Sequence, residues 1–258
     1  MQHCENLKML EQAIKTVQRT LREYISVEEH EKTYVYTKIL SHLVNSWAEV
    51  RLMKLIYEVR AFADFEKTRI IKSKKLDKKW TMALNIAFCR AFNVRNPKNI
   101  NKQTTVPYTA RIQYAALLRI IKGSLLESSA IRNRIAHGQW KYALTNDLMK
   151  KSKKLTAELR RENILRLQFR LAMFKSLAQI IHDLAVSKPT FVRDFDANYK
   201  QIEEQLRNSH TTDYENYKEK MLRKKKKGLK RKRNHLLLHG YRKQLQAIPV
   251  KKRAHRKT

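Results

Sequence analysis

Apolar residues recur along the first part of the chain at the spacing of an amphipathic helix. Because an α-helix turns about every 3.6 residues, positions three and four apart share one face. This spacing predicts a helix over roughly residues 4–25, and a longer pattern predicts a second helix over roughly 34–65. The first set comprises Leu7, Leu10, Ile14, Val17 and Leu21.

Polar stretches and prolines divide the rest of the chain. Residues 71–79 are basic and predict a connection, and residues 93–107, which contain Pro97 and Pro107, predict a loop. The pair Lys188 and Pro189 predicts a break. The apolar patterns between these points predict a helix starting near Trp80 and helices over roughly 108–127, 148–186 and 191–217.

The low content of turn-forming residues favours a helical fold. The 258 residues include four Gly and four Pro, whereas average usage of the two together is about 12%. We therefore predict an all-α helical bundle. Its expected organisation is a helical domain over 1–190, a C-terminal helix over 191–217, and a basic tail over 218–258 that is flexible or ordered by a partner.

The charge of the chain indicates a polyanionic partner. The formal net charge is +34, and residues 218–258 contain 18 Lys and Arg against one acidic residue. Such a field attracts nucleic acid or anionic lipid. We favour an RNA-binding tail because the body is also basic, although a nuclear-localisation signal or a membrane-surface patch fits the run equally in composition. The candidate RNA-binding residues of the tail are Lys224, Lys225, Lys226, Lys227, Lys230, Arg231, Lys232 and Arg233.

The cysteines and the N-terminus indicate a reducing compartment. Cys4 and Cys89 form no C-x-x-C motif and no disulfide framework. The N-terminus has no apolar run typical of a secretory signal, and no stretch of about 18 uncharged apolar residues occurs. We therefore expect a cytoplasmic protein without a membrane partner.

One segment departs from the helical background: Arg132, Asn133, Arg134 and His137 lie within six residues and are followed by Gly138. In RNA cleavage the 2′-hydroxyl of the substrate attacks the adjacent phosphorus, so the protein supplies no nucleophile. It has to move a proton, which suits His, and to stabilise a dianionic phosphorane, which suits Arg. This chemistry needs no metal, and the segment therefore indicates a candidate ribonuclease site.

Helical geometry restricts how these groups converge. At about 100° per residue, Asn133 and His137 share a face, whereas Arg132 lies about 140° from His137. Two arrangements remain open. Either the helix ends near Gly138, or a second subunit of a two-fold dimer supplies the missing group in a composite cleft.

The string I-R-N-R-I-A-H-G over residues 131–138 resembles the ribonuclease branch of the HEPN superfamily (higher eukaryotes and prokaryotes nucleotide-binding domain), which is marked by an Arg, a polar residue, a short spacer and a His. Arg132, Asn133 and His137 match that pattern, and residues 47–52 are similar to a helix that packs beside the motif in some members. The resemblance implies a metal-independent endoribonuclease acting as a homodimer, leaving 2′,3′-cyclic phosphate and 5′-hydroxyl ends. It also implies a toxin or antiviral defence effector, with a possible inhibitory or regulatory protein partner.

Other interpretations stay open from the residues alone. The Arg residues of the motif are also compatible with solvated helix charges, and His137 with a helix C-terminal cap. Arg134 is a candidate for holding RNA, together with the tail. Trp140 is a candidate for stacking on an RNA base or for core packing. Because no Gly-rich phosphate loop and no complete metal-ligand motif occur, we expect no cofactor and no metal. The alternative function is a basic nucleic-acid-binding protein without catalysis.

Overall fold

A computed structural model describes residues 2–100, 105–145 and 147–246, with side chains through residue 237. Helices dominate these residues, which confirms the predicted all-α bundle. A 3-10 turn lies at Pro97–Asn99 and an isolated antiparallel bridge joins Leu144 to Lys151. The α-helices are α1 Gln2–Ser26, α2 His30–Ile56, α3 Asp64–Ile71, α4 Leu76–Ala91, α5 Tyr108–Ile120, α6 Leu126–Ala136, α7 Lys153–Arg161, α8 Ile164–Val186, α9 Lys188–Thr211 and α10 Tyr214–Gln246.

The core lies between two helical pairs. α1 packs along α2, α8 packs along α9, and α2 and α4 both pack against α8. α6 and α10 then pack on the outside of this bundle, against α2 and α1 respectively. The large side chains of the core that are buried almost completely are Trp80, Phe88, Phe174 and Phe191. Their burial supplies the main favourable term for folding.

Two predicted helices are shorter in the structure. α2 ends at Ile56, with Tyr57 as its C-cap, rather than near residue 65. Beyond this end the chain turns through Arg60, whose backbone is left-handed (φ 68°). The chain then restarts as α3, where Glu66 accepts a hydrogen bond from the Ala63 amide at 2.9 Å. The pattern over 148–186 is likewise divided, since Asn163 caps α8 by accepting from the Arg166 amide at 3.0 Å. In both places a local cap interrupts an apolar pattern that continues on either side.

The predicted helix over 108–127 continues further than expected. α5 passes into a π-helical turn at Ile121–Leu125 and then into α6. A π-turn adds a residue to one turn of the helix, so it changes which residues face the core downstream. Ile121 and Leu125 are both buried across this turn, and Gly123 within it is exposed.

A buried charged cluster fixes the end of α7 between α2 and α8. Glu162 accepts two hydrogen bonds of 2.8 Å from Arg170 and one of 2.7 Å from Ser41. Nearby, the ammonium of the buried Lys38 donates to the Leu159 carbonyl. Burial lowers the pKa of Lys38 to about 8, against the opposing effect of the Glu162 carboxylate. These contacts hold α7 to α2 on the side of the bundle that also carries α6.

The C-terminal helices are longer than the apolar period indicates. α9 begins at Lys188, where the Ser187 hydroxyl accepts from the Thr190 amide at 3.4 Å, and α10 is helical as far as Gln246. The positions 190 and 217, predicted as domain boundaries, therefore fall inside helices. Residues 247–258 of the predicted tail lie outside the described residues. Among the described helices, none has the length and apolar character needed to cross a bilayer.

Candidate functional site

The motif lies at the C-terminal end of α6, one side of which is buried while the other carries polar residues at the surface. Ser128, Ile131 and Ile135 recur at three and four residues and are buried. Ile131 and Ile135 form a small apolar cluster with Leu159 of α7. Between these anchors the helix presents Arg132, which is half-buried, and Asn133, which is exposed. The apolar side therefore fixes α6 and leaves the polar side at the surface.

A left-handed turn at Gly138 ends α6 directly after the motif. Its φ of 73° is left-handed, and its amide donates to the Ile135 carbonyl at 3.1 Å. The Gln139 amide donates back to the Arg134 carbonyl at 2.9 Å. These two bonds form a Schellman motif, in which a left-handed glycine closes the last turn. His137 consequently occupies the C-cap position with φ −91° and ψ 22°, so it leaves the regular helical register.

The Arg132 guanidinium is held by two acceptors. Its Nη2 donates to Glu49 Oε2 at 2.7 Å, and its Nη1 donates to Asn133 Oδ1 at 3.2 Å. Since an arginine carries five N–H groups in a planar fork, these two contacts leave further donors for a ligand. Glu49 lies on α2, within residues 47–52, the segment whose sequence is similar to a helix that packs beside the motif in some HEPN proteins.

The neighbouring part of α2 completes the docking of α6. Asn45 Oδ1 accepts from the Ser128 hydroxyl at 2.9 Å, and its Nδ2 donates to the Ser41 carbonyl at 3.2 Å. His42 precedes Asn45 by one turn. Burial lowers the pKa of this imidazole, and the charge of Arg132 lowers it further. Both effects favour the neutral form of the His42 imidazole, which lies near Arg132.

A cleft of about 470 Å³ opens beside α6. We name it the motif cleft. One side is formed by α2 and α6, and the other side is formed by the α3–α4 connection and the first turns of α4. The polar and charged residues that line it are Asn45, Glu49, Lys74, Lys75, Asp77, Lys79, Ser129, Arg132, Asn133, Arg134 and His137.

The motif cleft is cationic and is large enough for a ligand. Five of its lining side chains are Lys or Arg, and two are carboxylates. Its volume is in the range of about 300–1,000 Å³ that encloses small organic ligands. Arg132 and His137 line the same cleft within one protomer, so the helix end alone brings them to a common surface. This corresponds to the first of the two arrangements that the sequence left open.

The structure places Trp140 at the small apolar cluster rather than in the lining of the motif cleft. Its indole N–H donates to the Ile135 carbonyl at 3.0 Å, and its ring packs against the cluster of Ile131, Ile135 and Leu159. Its own carbonyl accepts from the Tyr34 hydroxyl. In the absence of RNA, Trp140, the candidate base-stacking residue, therefore packs against the apolar cluster.

The candidate RNA-binding residues of the tail, within 224–233, lie on α10. From Lys226 to residue 237 the described side chains are exposed, and Lys225 is half-buried. The attachment to the core is made earlier, by Tyr214, Tyr217 and Met221. None of the residues of this basic run lines the motif cleft.

Sequence reasoning missed two parts of the site. Residues 71–79 read as a connection, yet three of their lysines line the motif cleft. On α2, His42, Asn45 and Glu49 were absorbed into a helix interpreted as core. A signal for the second set was present, since spacings of three and four residues put these polar side chains on one face. No sequence signal linked the α3–α4 connection to the motif.

Comparison of the chain with protein-family models, with curated proteins and with solved structures finds no match. The likeness to the HEPN ribonucleases accordingly rests on the sequence, at residues 131–138 and 47–52. Among the side chains that the structure describes, no three His, Cys, Asp or Glu residues are grouped as metal ligands would be.

Proposed function

We propose that this protein is a metal-independent endoribonuclease of the HEPN type. The observation that carries the proposal is the common lining of one cationic cleft by Arg132, Asn133 and His137. An arrangement with Arg132 and His137 in apolar surroundings, or on separate faces, would have removed its basis. The Glu49 contact adds support because it fixes the guanidinium in a defined position.

The chemistry proceeds by attack of the 2′-oxygen on the adjacent phosphorus. The bond from phosphorus to the 5′-oxygen breaks, which leaves a 2′,3′-cyclic phosphate and a 5′-hydroxyl end. Arg132 stabilises the dianionic phosphorane, and Asn133 positions a phosphate oxygen. His137 of one protomer accepts the proton of the 2′-hydroxyl. The partner subunit's His137 donates a proton to the leaving 5′-oxygen. Each protomer brings its own Arg132 and His137 to one cleft, and the homodimer adds the second imidazole that the two proton transfers require.

The decisive experiment is RNA cleavage by the purified full chain in the presence of EDTA. We expect fragments with cyclic phosphate ends, loss of cleavage in His137→Ala and Arg132→Ala, and retention of RNA binding in both. His210→Ala, at an exposed imidazole outside the motif cleft, serves as the control and retains full activity. Cleavage by the His137→Ala protein at the unmodified rate would refute the proposal. Mass measurement in solution tests the homodimer.

A second candidate function is RNA binding without catalysis. The observation that favours it is the exposed basic run on α10, none of whose residues lines the motif cleft. Replacing Lys224, Lys226, Lys227 and Lys230 by Gln then reduces the slope of log affinity against log salt by about 2.8 on single-stranded RNA. Loss of every measurable activity in this variant, with Arg132→Ala neutral, would favour the second candidate.

The biological role that accompanies the first proposal is a cytoplasmic toxin or antiviral defence effector controlled by a protein partner. It follows from the resemblance of residues 131–138. Expression of the chain is then toxic, and Arg132→Ala relieves the toxicity while the protein level is unchanged. Toxicity that persists in Arg132→Ala would separate the role from the motif.

A further inference from the structure

The wall of the motif cleft that faces α6 is made by a segment to which sequence reasoning gave no function. Lys74 and Lys75 end the α3–α4 connection, and Lys79 follows one turn into α4. All three line the motif cleft together with Arg132 and His137. The exposed Lys72 and Lys78 belong to the same segment but do not line it. Three of the five lysines in residues 71–79 thus line the cleft, and two do not.

This wall is fixed relative to the motif. Trp80 of α4 is buried, and its indole N–H donates to the Ala48 carbonyl of α2 at 3.3 Å. The Lys79 amide donates to the Lys75 carbonyl at 3.0 Å, which places the two lysines one helical turn apart. Residues at this spacing share a face of a helix. The ammonium groups of Lys75 and Lys79 are therefore carried by one rigid surface that adjoins α2.

The charges of the cleft are not balanced from within. Of its two lining carboxylates, Glu49 is already paired with Arg132 on the α2 and α6 side. Concentrating three lysines along one side of the cleft costs electrostatic free energy unless an anion occupies the space beside them. A lysine ammonium is a compact charge that suits phosphate oxygens without demanding a fixed geometry.

We propose that Lys74, Lys75 and Lys79 form a phosphate-binding wall, which holds the RNA strand in the motif cleft against Arg132 and His137. This inference rests on the proposed function for the identity of the ligand. The wall contacts phosphates that flank the scissile linkage, so it contributes to substrate affinity and takes no part in the proton transfers. It also provides cations at the site that are independent of the basic run on α10.

The test compares two double variants of the full chain that carry the same net charge. Lys75→Ala with Lys79→Ala removes two lysines of the wall, whereas Lys72→Ala with Lys78→Ala removes two lysines of the same segment outside the cleft. The probe is a short single-stranded RNA whose 2′-hydroxyls are all methylated, so that it has no nucleophile and cannot be cleaved. A matched oligonucleotide of the same sequence keeps its 2′-hydroxyls for the cleavage measurement. Thermal unfolding confirms that both variants fold.

We expect the wall variant to bind the uncleavable probe about ten-fold more weakly than the control variant, with a salt slope shallower by about 1.4. Equal affinities and equal slopes for the two variants would overturn the wall. The cleavable oligonucleotide separates this outcome from failure of the proposed function. If neither the unmodified protein nor a variant cleaves this oligonucleotide while the difference in affinity persists, the phosphate-binding wall is supported and the proposed ribonuclease activity is refuted. If cleavage depends on His137 but the two double variants bind the probe with equal affinity, the ribonuclease activity is supported and the phosphate-binding wall is refuted.

Discussion

Arg132 and Glu49 join the motif helix to α2 through a hydrogen-bonded ion pair of 2.7 Å between Nη2 and Oε2. The two residues are 83 positions apart in the chain. Both side chains are partly exposed, so the pair contributes little to stability, typically below about 1 kcal/mol. Its main effect is on position, because it holds the guanidinium at the edge of a cleft that His137 also lines.

Removing this carboxylate separates positioning from stability. We expect Glu49→Ala to lower the rate of RNA cleavage at least about ten-fold, since small displacements of a catalytic group cost rate steeply. The free energy of unfolding changes by less than about 1 kcal/mol. Single-turnover cleavage and urea denaturation measure the two effects. Glu49→Gln, which keeps an acceptor, restores part of the rate.

Glu29→Ala is the matched control for this experiment. Glu29 forms an exposed ion pair with Lys32 at 3.5 Å and does not line the motif cleft. Its removal changes the charge of the protein equally and leaves the cleavage rate unchanged. An equal loss of rate in both variants would show that net charge, rather than the position of Arg132, determines the effect.

The two glycines near the motif respond in opposite directions to alanine. Gly138 has φ 73°, and an added Cβ there meets no atom within 4 Å, so the cost of Gly138→Ala is backbone strain of about 1 kcal/mol. Gly123 also leaves open space for a Cβ but lies within the helical segment. There Ala raises stability by about 0.5–1 kcal/mol. Urea denaturation of both variants checks the signs.

Gly138→Asn refines the same prediction. Asn tolerates the left-handed region better than Ala does, so it recovers part of the lost stability. If Ala at residue 138 were as stable as Gly, His137 would not be held at the end of the helix by this turn.

Trp140 distinguishes packing from base stacking. Its indole packs against Ile131, Ile135 and Leu159 and donates to the Ile135 carbonyl. We expect Trp140→Ala to lower the free energy of unfolding by about 2 kcal/mol, below the range for a fully buried aromatic residue because Trp140 is half-buried. At a temperature where the variant is folded, its affinity for short RNA is unchanged. A weaker affinity by about 1–3 kcal/mol would instead assign the ring to a base.

The buried carboxylate of Glu162 makes the free energy of unfolding depend on pH. Burial by itself raises the pKa of this carboxyl, but the charge and hydrogen bonds of Arg170, together with the hydrogen bond of Ser41, outweigh burial and hold the pKa below its ordinary value. A carboxyl with a depressed pKa stabilises the fold above its unfolded pKa of about 4.3, and the contribution is lost as the pH falls. We therefore expect Glu162→Gln to cost about 3 kcal/mol at neutral pH, since Arg170 is left buried and unpaired.

The pH dependence of this cost supplies the check. The difference in free energy of unfolding between the unmodified chain and Glu162→Gln narrows as the pH falls below about 4.3, where the unfolded carboxyl is protonated. Glu219→Gln, which removes an exposed partner of Arg223, shows a small difference at each pH. A difference for Glu162→Gln that stayed constant down to acid pH would refute the assignment to its charge.

The amino-acid sequence by itself determined the helical class and the motif. Few Gly and Pro, and apolar residues at three- and four-residue spacing, predict helices because both features act locally on the backbone. The end of α6 was also readable, since a glycine after the last apolar position is a local signal. The premature end of α2 at Ile56 was not, because residues 57–63 contain neither Gly nor Pro to mark it.

Only the tertiary structure decided what surrounds the motif. Glu49 reaches Arg132 from α2, and the lysines of the α3–α4 connection reach the same cleft from a segment more than 50 residues before the motif. No local pattern encodes these approaches, since they depend on how α4 and α6 each pack against the rest of the bundle. Helical periodicity fixes which side of a helix is buried, whereas long-range packing selects the polar groups that meet across a cleft.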